Sequence, residues 1–215
     1  MRIISATLGP FTTASANSIV TAAAGTGGTP LTLTTSPYVL DNPRRIIITS
    51  TQTETGRLFF VVGTDWNGTQ VSETISSVTS SAVQSVYDYA TIISITPSVT
   101  TAGNITVGTN FVASTRPIFL DEWAFRECTV QCNNNGTITT TLQQTLDDPG
   151  SCCMPTTYTS VTWFSSTDAA TTASAASYMS SFAYAPKMVR LLATTFSAVT
   201  GSATLRISQA ASVPL

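Results

Sequence analysis

Arg57-Leu58-Phe59-Phe60-Val61-Val62-Gly63, followed by Asp65-Trp66-Asn67-Gly68 and then Thr69-Gln70-Val71-Ser72-Glu73-Thr74-Ile75, reads as strand, turn and strand. The apolar runs are short, and helical spacing of three and four is missing from them. Asn-Gly between them tolerates the positive φ that a right-twisted hairpin demands, so an antiparallel pair is expected. The same signature recurs along the chain. Strands are expected over residues 45–51, 57–63, 69–75, 89–95, 105–108, 127–131, 137–143, 158–164, 188–194 and 203–207. Short strands at this spacing imply an all-β chain of one or two antiparallel sandwiches, jelly-roll or immunoglobulin-like.

Asn133-Asn134-Asn135-Gly136 is a second turn and is also expected to join antiparallel neighbours, with a third turn at Thr200-Gly201-Ser202. Val189, Leu191 and Ala193 share one strand face, as do Ala203, Leu205 and Ile207, and the two faces are expected to meet one core. Residues 169–182 are rich in Ala, Ser and Met but show no apolar stripe, which predicts a loop packing on a neighbour rather than a helix. Residues 12–30, rich in Ala, Thr and Gly, are read as a long N-terminal arm ordered in an assembly. A boundary is placed near Asp121, giving an arm plus sandwich over residues 1–120 and a second sandwich over 121–215.

Composition agrees with this pattern. Hydrophobic residues make up 42% of the 215 residues, but charged residues only 9%, where an ordinary soluble domain carries about 25%. Serine and threonine fill about a third of the chain, and the β-branch of Thr suits a pleated surface. The net charge is -2, with nine basic residues of which only Lys187 is a lysine. That excludes a phosphate-binding stripe, so no nucleic-acid partner is expected. The first residues, Met1-Arg2-Ile3-Ile4-Ser5, make a poor signal peptide, and no run of eighteen apolar residues offers a membrane span; assembly in a cytoplasm is expected.

Chemistry is thinly supplied. There is no histidine, so a serine or cysteine nucleophile lacks its usual base. Asp121-Glu122 and Asp147-Asp148 are the paired carboxylates that a glycosidase would need. Asp147-Asp148-Pro149-Gly150 has the composition of a turn, however, and neighbours on a strand point to opposite faces. Cys128, Cys132, Cys152 and Cys153 lack zinc-ribbon spacing; small buried side chains are the first expectation and a disulfide the second. Trp66, Trp123, Trp163, Tyr87 and Tyr89 could stack on sugar rings, but such residues more often fill cores and subunit interfaces, with Trp66 at a hairpin tip expected to be the most exposed. No catalytic residue, cofactor or metal ligand is assigned.

Arg45-Ile46-Ile47-Ile48-Thr49-Ser50, Phe60-Val61-Val62-Gly63-Thr64-Asp65, Val71-Ser72-Glu73-Thr74-Ile75, Ile92-Ile93-Ser94-Ile95, Ile105-Thr106-Val107-Gly108-Thr109 and Arg116-Pro117-Ile118 together resemble a β module of structural proteins of tailed bacteriophages. Gly136-Thr137-Ile138-Thr139, Asp147-Asp148-Pro149, Trp163-Phe164, Tyr184-Ala185-Pro186-Lys187-Met188-Val189-Arg190-Leu191 and Ser208-Gln209-Ala210 are similar to the part often found C-terminal to that module. The resemblance spans most of the chain from about residue 40 onward and carries no catalytic signature. It implies a virion component and no enzyme. The expected role is a capsid decoration or cement protein, a homo-oligomer such as a trimer that clamps the major capsid protein lattice. A neck or tail protein and a glycan- or receptor-binding adhesin are the alternatives.

Overall fold

The computed structural model describes residues 2–76, 78–120, 128–148, 161–182 and 186–209, and over these the protein is all-β. In chain order the strands are β1 (Arg2–Leu8), β2 (Val20–Ala24), β3 (Tyr38–Ser50), β4 (Leu58–Thr64), β5 (Gln70–Ser76), β6 (Val83–Gln84), β7 (Tyr89–Pro97) and β8 (Asn104–Ser114). They continue with β9 (Ile118–Phe119), β10 (Cys128–Asn135), β11 (Ile138–Thr145), β12 (Phe164–Ser165), β13 (Tyr178–Phe182), β14 (Met188–Phe196) and β15 (Ser202–Gln209). Two compact units result: a continuous one over residues 12–113 and a split one built from residues 1–11 and 114–215. The first strand thus belongs with the C-terminal half, a grouping that differs from a division at residue 120. The expected boundary at Asp121 itself lies outside the described residues.

In the continuous unit the strands run β8-β3-β7-β4-β5, with β2 on β8 and β6 on β3. β4 and β5 form the expected hairpin in unbroken register from Leu58↔Ser76 to Thr64↔Gln70. Asp65 shapes its turn, accepting at Oδ1 from the amides of Asn67 (2.8 Å) and Thr69 (2.9 Å), while Gly68 takes φ +80°. β3 is longer than expected because it runs through Asp41-Asn42-Pro43, where its register on β7 shifts. Proline fits a strand where a bulge already breaks the ladder. After Arg44 that edge of β3 passes from β7 to β6. Both parts of the strand path then bury one face in a common core of Ile46, Ile48, Phe59, Val61, Ile92 and Ile95, with residues of β5 and β8. Each such side chain contributes about 1.5–3 kcal/mol when fully buried. Residues 12–30, expected as an arm, are largely built into this unit: Ile19 and Val20 are fully buried, and the Leu31 amide donates to the Ile95 carbonyl at 2.8 Å.

In the split unit one sheet runs β1-β15-β10-β13, and β11 pairs with β12 and β14, which also pairs with β9. The buried faces hold Val189, Leu191 and Ala193 on one side and Ala203, Leu205 and Ile207 on the other, as the alternation predicted. Asn135-Gly136 is not a hairpin, which corrects the sequence reading. β10 pairs with β13 and β15, whereas β11 pairs with β14, so the turn carries the chain from one sheet to the other. Thr200-Gly201 makes the reverse crossing, and a Cβ on Gly136 would collide with the Thr200 carbonyl. Positive φ is needed at a sheet-to-sheet corner as much as at a hairpin, and so the local signal cannot separate them. Residues 169–182 are a second correction. Ala169–Thr171 is a 3-10 turn capped by Asp168, and β13 comes after it, paired with β10.

Candidate interaction face

The hairpin at the end of the continuous unit places a mixed apolar and hydroxyl face outward. On β4, Phe59 and Val61 point into the core, leaving Leu58 (36% exposed), Phe60 (43%) and Val62 on the other side. Register then fixes their neighbours. Leu58, Phe60 and Val62 lie opposite Ser76, Thr74 and Ser72 of β5, and Phe60 and Val62 lie opposite Thr96 and Ser94 of β7. An apolar column is thus flanked on both sides by hydroxyls. A strand apolar on both faces is the pattern of a strand covered on both faces, and Leu58-Phe59-Phe60-Val61-Val62 was the signal for this in the sequence.

Beneath that face the ionisable side chains serve the fold. Tyr89, fully buried, donates its hydroxyl to Glu73 Oε1 at 3.1 Å, and the Val86 amide donates to Glu73 Oε2 at 2.9 Å. Burial still pushes the Glu73 carboxyl above its ordinary range. Arg44, with no exposed surface, donates through Nη1 to both Asp41 oxygens at 3.0 and 3.1 Å and through Nη2 to the Asn110 carbonyl at 2.6 Å. Asp41 also accepts from the Thr12 amide at 2.6 Å. Burial raises Asp41, but the Thr12 amide and the Arg44 charge outweigh it and hold the carboxyl low. Thr12 and Ala113, where the chain enters and leaves this unit, are therefore both tied to Arg44, since Ala113 is its register partner. Glu54 accepts from Ser50 Oγ and the amides of Ala102 and Gly103 at 2.7–2.9 Å, with Arg57 at 3.3 Å. Here too burial raises the carboxyl, and those donors bring it below its usual value.

The residues singled out in the sequence have varied fates. Asp147 accepts from the Thr162 amide at 2.7 Å and Asp148 pairs with Lys187 at 2.8 Å. Asp121, Glu122, Trp123, Cys152 and Cys153 lie outside the described residues, as do Pro149, Gly150, Tyr184, Ala185, Ala210 and residues 158–160 of an expected strand. Cys128 and Cys132 are buried free thiols on β10, pushed up by burial. Their thiolates are disfavoured, so they are poor nucleophiles. Trp66 is half-buried, and the Arg190 guanidinium sits 4.3 Å from the Trp163 ring centroid. Among the described residues no three His, Cys, Asp or Glu side chains cluster as metal ligands would, and no helix is long and apolar enough to cross a membrane.

No family model and no curated protein matches the chain. A solved structure described as the crystal structure of PBSX exported protein XepA is similar over 91% of this chain and 86% of that one, at 11% identity and a TM-score of 0.31. A likeness that weak carries no argument. The role of this protein rests on its own residues.

Proposed function

We propose that this chain is a non-enzymatic structural component of a tailed-phage particle, a decoration protein that stabilises an assembled head. The observation that carries the reading is the outer face of β4, where Leu58, Phe60 and Val62 stand uncharged between hydroxyl columns of β5 and β7. Such a face gains by burial against another subunit and needs no desolvation of charge to do so. A protein that binds the assembled lattice but not free subunits stabilises the lattice by mass action, and repetition by symmetry turns weak contacts into firm retention. The resemblance of residues 45–118 to phage structural modules supports the same context.

The test is to count the chain in purified particles and to add it to shells that lack it. Hundreds of copies, with shells that survive heating better when it is added, is the expected result. About a dozen copies, the number a closed ring supplies, would move it to the neck or tail. Absence from particles would overturn the proposal. The adhesin reading draws less support, because Tyr89 is fully buried and one face of Trp163 already carries a guanidinium.

A further inference from the structure

β5 ends its sheet, and among the described residues its backbone pairs with β4 alone. Sheet margins in monomeric proteins are blunted by charge, bulges or short length. The other margins of this chain carry such devices. The Arg116 guanidinium sits 3.5 Å from the Ser5 carbonyl on β1, β2 has a register shift between Val20 and Ala23, and β9 and β12 are two residues long. β13 has five residues. β5 is neither short nor bulged: it keeps an unbroken register on β4 over its seven residues, and an inward-turned charge, Glu73, is the one such device it carries. Its solvent-facing side chains are Gln70, Ser72, Thr74 and Ser76, all uncharged, while its one ionisable residue, Glu73, turns inward to Tyr89.

From this we infer that β5 pairs antiparallel with β5 of a second copy about a two-fold axis. An antiparallel strand edge is complementary to itself, so one two-fold operation satisfies the same donors and acceptors on both copies. With Gln, Ser and Thr as the outward residues, two copies meet without like-charge repulsion. The joint sheet would run β7-β4-β5-β5-β4-β7 and set two Leu58-Phe60-Val62 columns on one continuous face. This pairing rests on the strand edge and stands apart from the particle reading, so either can fail alone.

Light scattering and analytical ultracentrifugation of the full chain test it. The expected result is twice the monomer mass, with the double variant Ser72→Lys, Thr74→Lys monomeric and unchanged in its β circular dichroism. The variant Ser72→Glu, Thr74→Glu should also be monomeric, and an equimolar mixture of the two should regain the doubled mass. Hydrogen exchange of the unaltered chain gives a reading independent of the variants: those amides of residues 70–76 that point away from β4 should exchange at least tenfold more slowly in concentrated than in dilute solution. A monomeric unaltered chain, a lysine variant that keeps the doubled mass, or β5 exchange independent of concentration would each overturn the inference.

Discussion

The ring of Tyr89 lies across Gly63, so that a Cβ built on the glycine falls 2.6 Å from Tyr89 Cδ1. The aromatic residue comes from β7, crosses β4 where β4 has no side chain, and reaches Glu73 on β5 with its hydroxyl. Three neighbouring strands are thereby tied beneath the proposed interaction face. The same Cβ would collide with the Thr91 carbonyl, which is backbone and cannot swing aside.

Gly63→Ala is therefore expected to destabilise the protein by about 1–3 kcal/mol, as overpacking does. Tyr89→Phe keeps the ring and loses the bond to Glu73, at a cost of about 1.5–3 kcal/mol for a hydrogen bond to a charged group. Urea denaturation followed by circular dichroism measures both; a Gly63→Ala protein as stable as the parent would contradict the placement of Tyr89.

Asp41→Ala should be the more damaging change. It leaves the buried Arg44 guanidinium without its carboxylate, and breaking a buried pair from one side costs about 3–5 kcal/mol. Because Thr12 also loses its acceptor, cleavage by a protease near residue 12 should accelerate. Denaturation midpoints and limited proteolysis provide the readout.

Stability should fall in acid through Asp41 and Glu54. Both carboxyls are held below their ordinary values of 3.8 and 4.5, so the stability they contribute is complete above those values and is lost as pH drops through their lower folded-state pKa. Glu73 acts in the opposite sense. Its folded pKa is raised, so its charged form costs stability above that pKa, and the cost fades as pH falls toward the unfolded value. Glu54→Gln should flatten the acid limb of a stability-pH curve, whereas Glu73→Gln should steepen the net loss on acidification. Thermal unfolding across pH 3 to 7 distinguishes them.

Cys128 and Cys132 should stay unmodified in the folded protein. Burial raises both thiols, which lowers the thiolate fraction and blocks reagent access. In a chain with Cys152 and Cys153 replaced by serine, a thiol reagent near pH 8 should react only after denaturant is added. Prompt reaction of two thiols in the native state would refute it.

Phe60→Asp separates folding from assembly. Phe60 is 43% exposed on the outer face of β4, so the isolated protein should stay folded and lose about 1–2 kcal/mol, the partial burial and strand propensity of the ring. Retention on particles should be lost, because a carboxylate would then have to be desolvated at the contact. Sedimentation with shells reports the second effect and denaturation the first.

Much of the architecture is legible in the chain because strand formation is written locally. Alternation in residues 69–75 and 203–207, β-branched runs such as Ile46-Ile47-Ile48, and Asp65-Trp66-Asn67-Gly68 each fix an element without reference to distant residues. Val20–Ala24 and Tyr178–Phe182 were harder to see. Their strand character comes from partners, β8 and β10, far away in sequence, and small residues such as Ala and Ser carry little propensity of their own. Of the candidate face, the apolar run at residues 58–62 was visible. Its flanking hydroxyl columns were not, because they depend on cross-strand register.

Residue order and composition were enough to dictate an all-β chain, poor in charge and without histidine, with strands rich in hydroxyl side chains. It took the folded chain to establish that β1 closes on β15, that Asn135-Gly136 turns a corner between sheets, and that Arg44 holds both ends of the continuous unit. The difference is one of range. Propensity and turn chemistry act over a few residues, whereas pairing between residues 2–8 and 203–209 is settled by which buried faces fit together once the whole chain has folded.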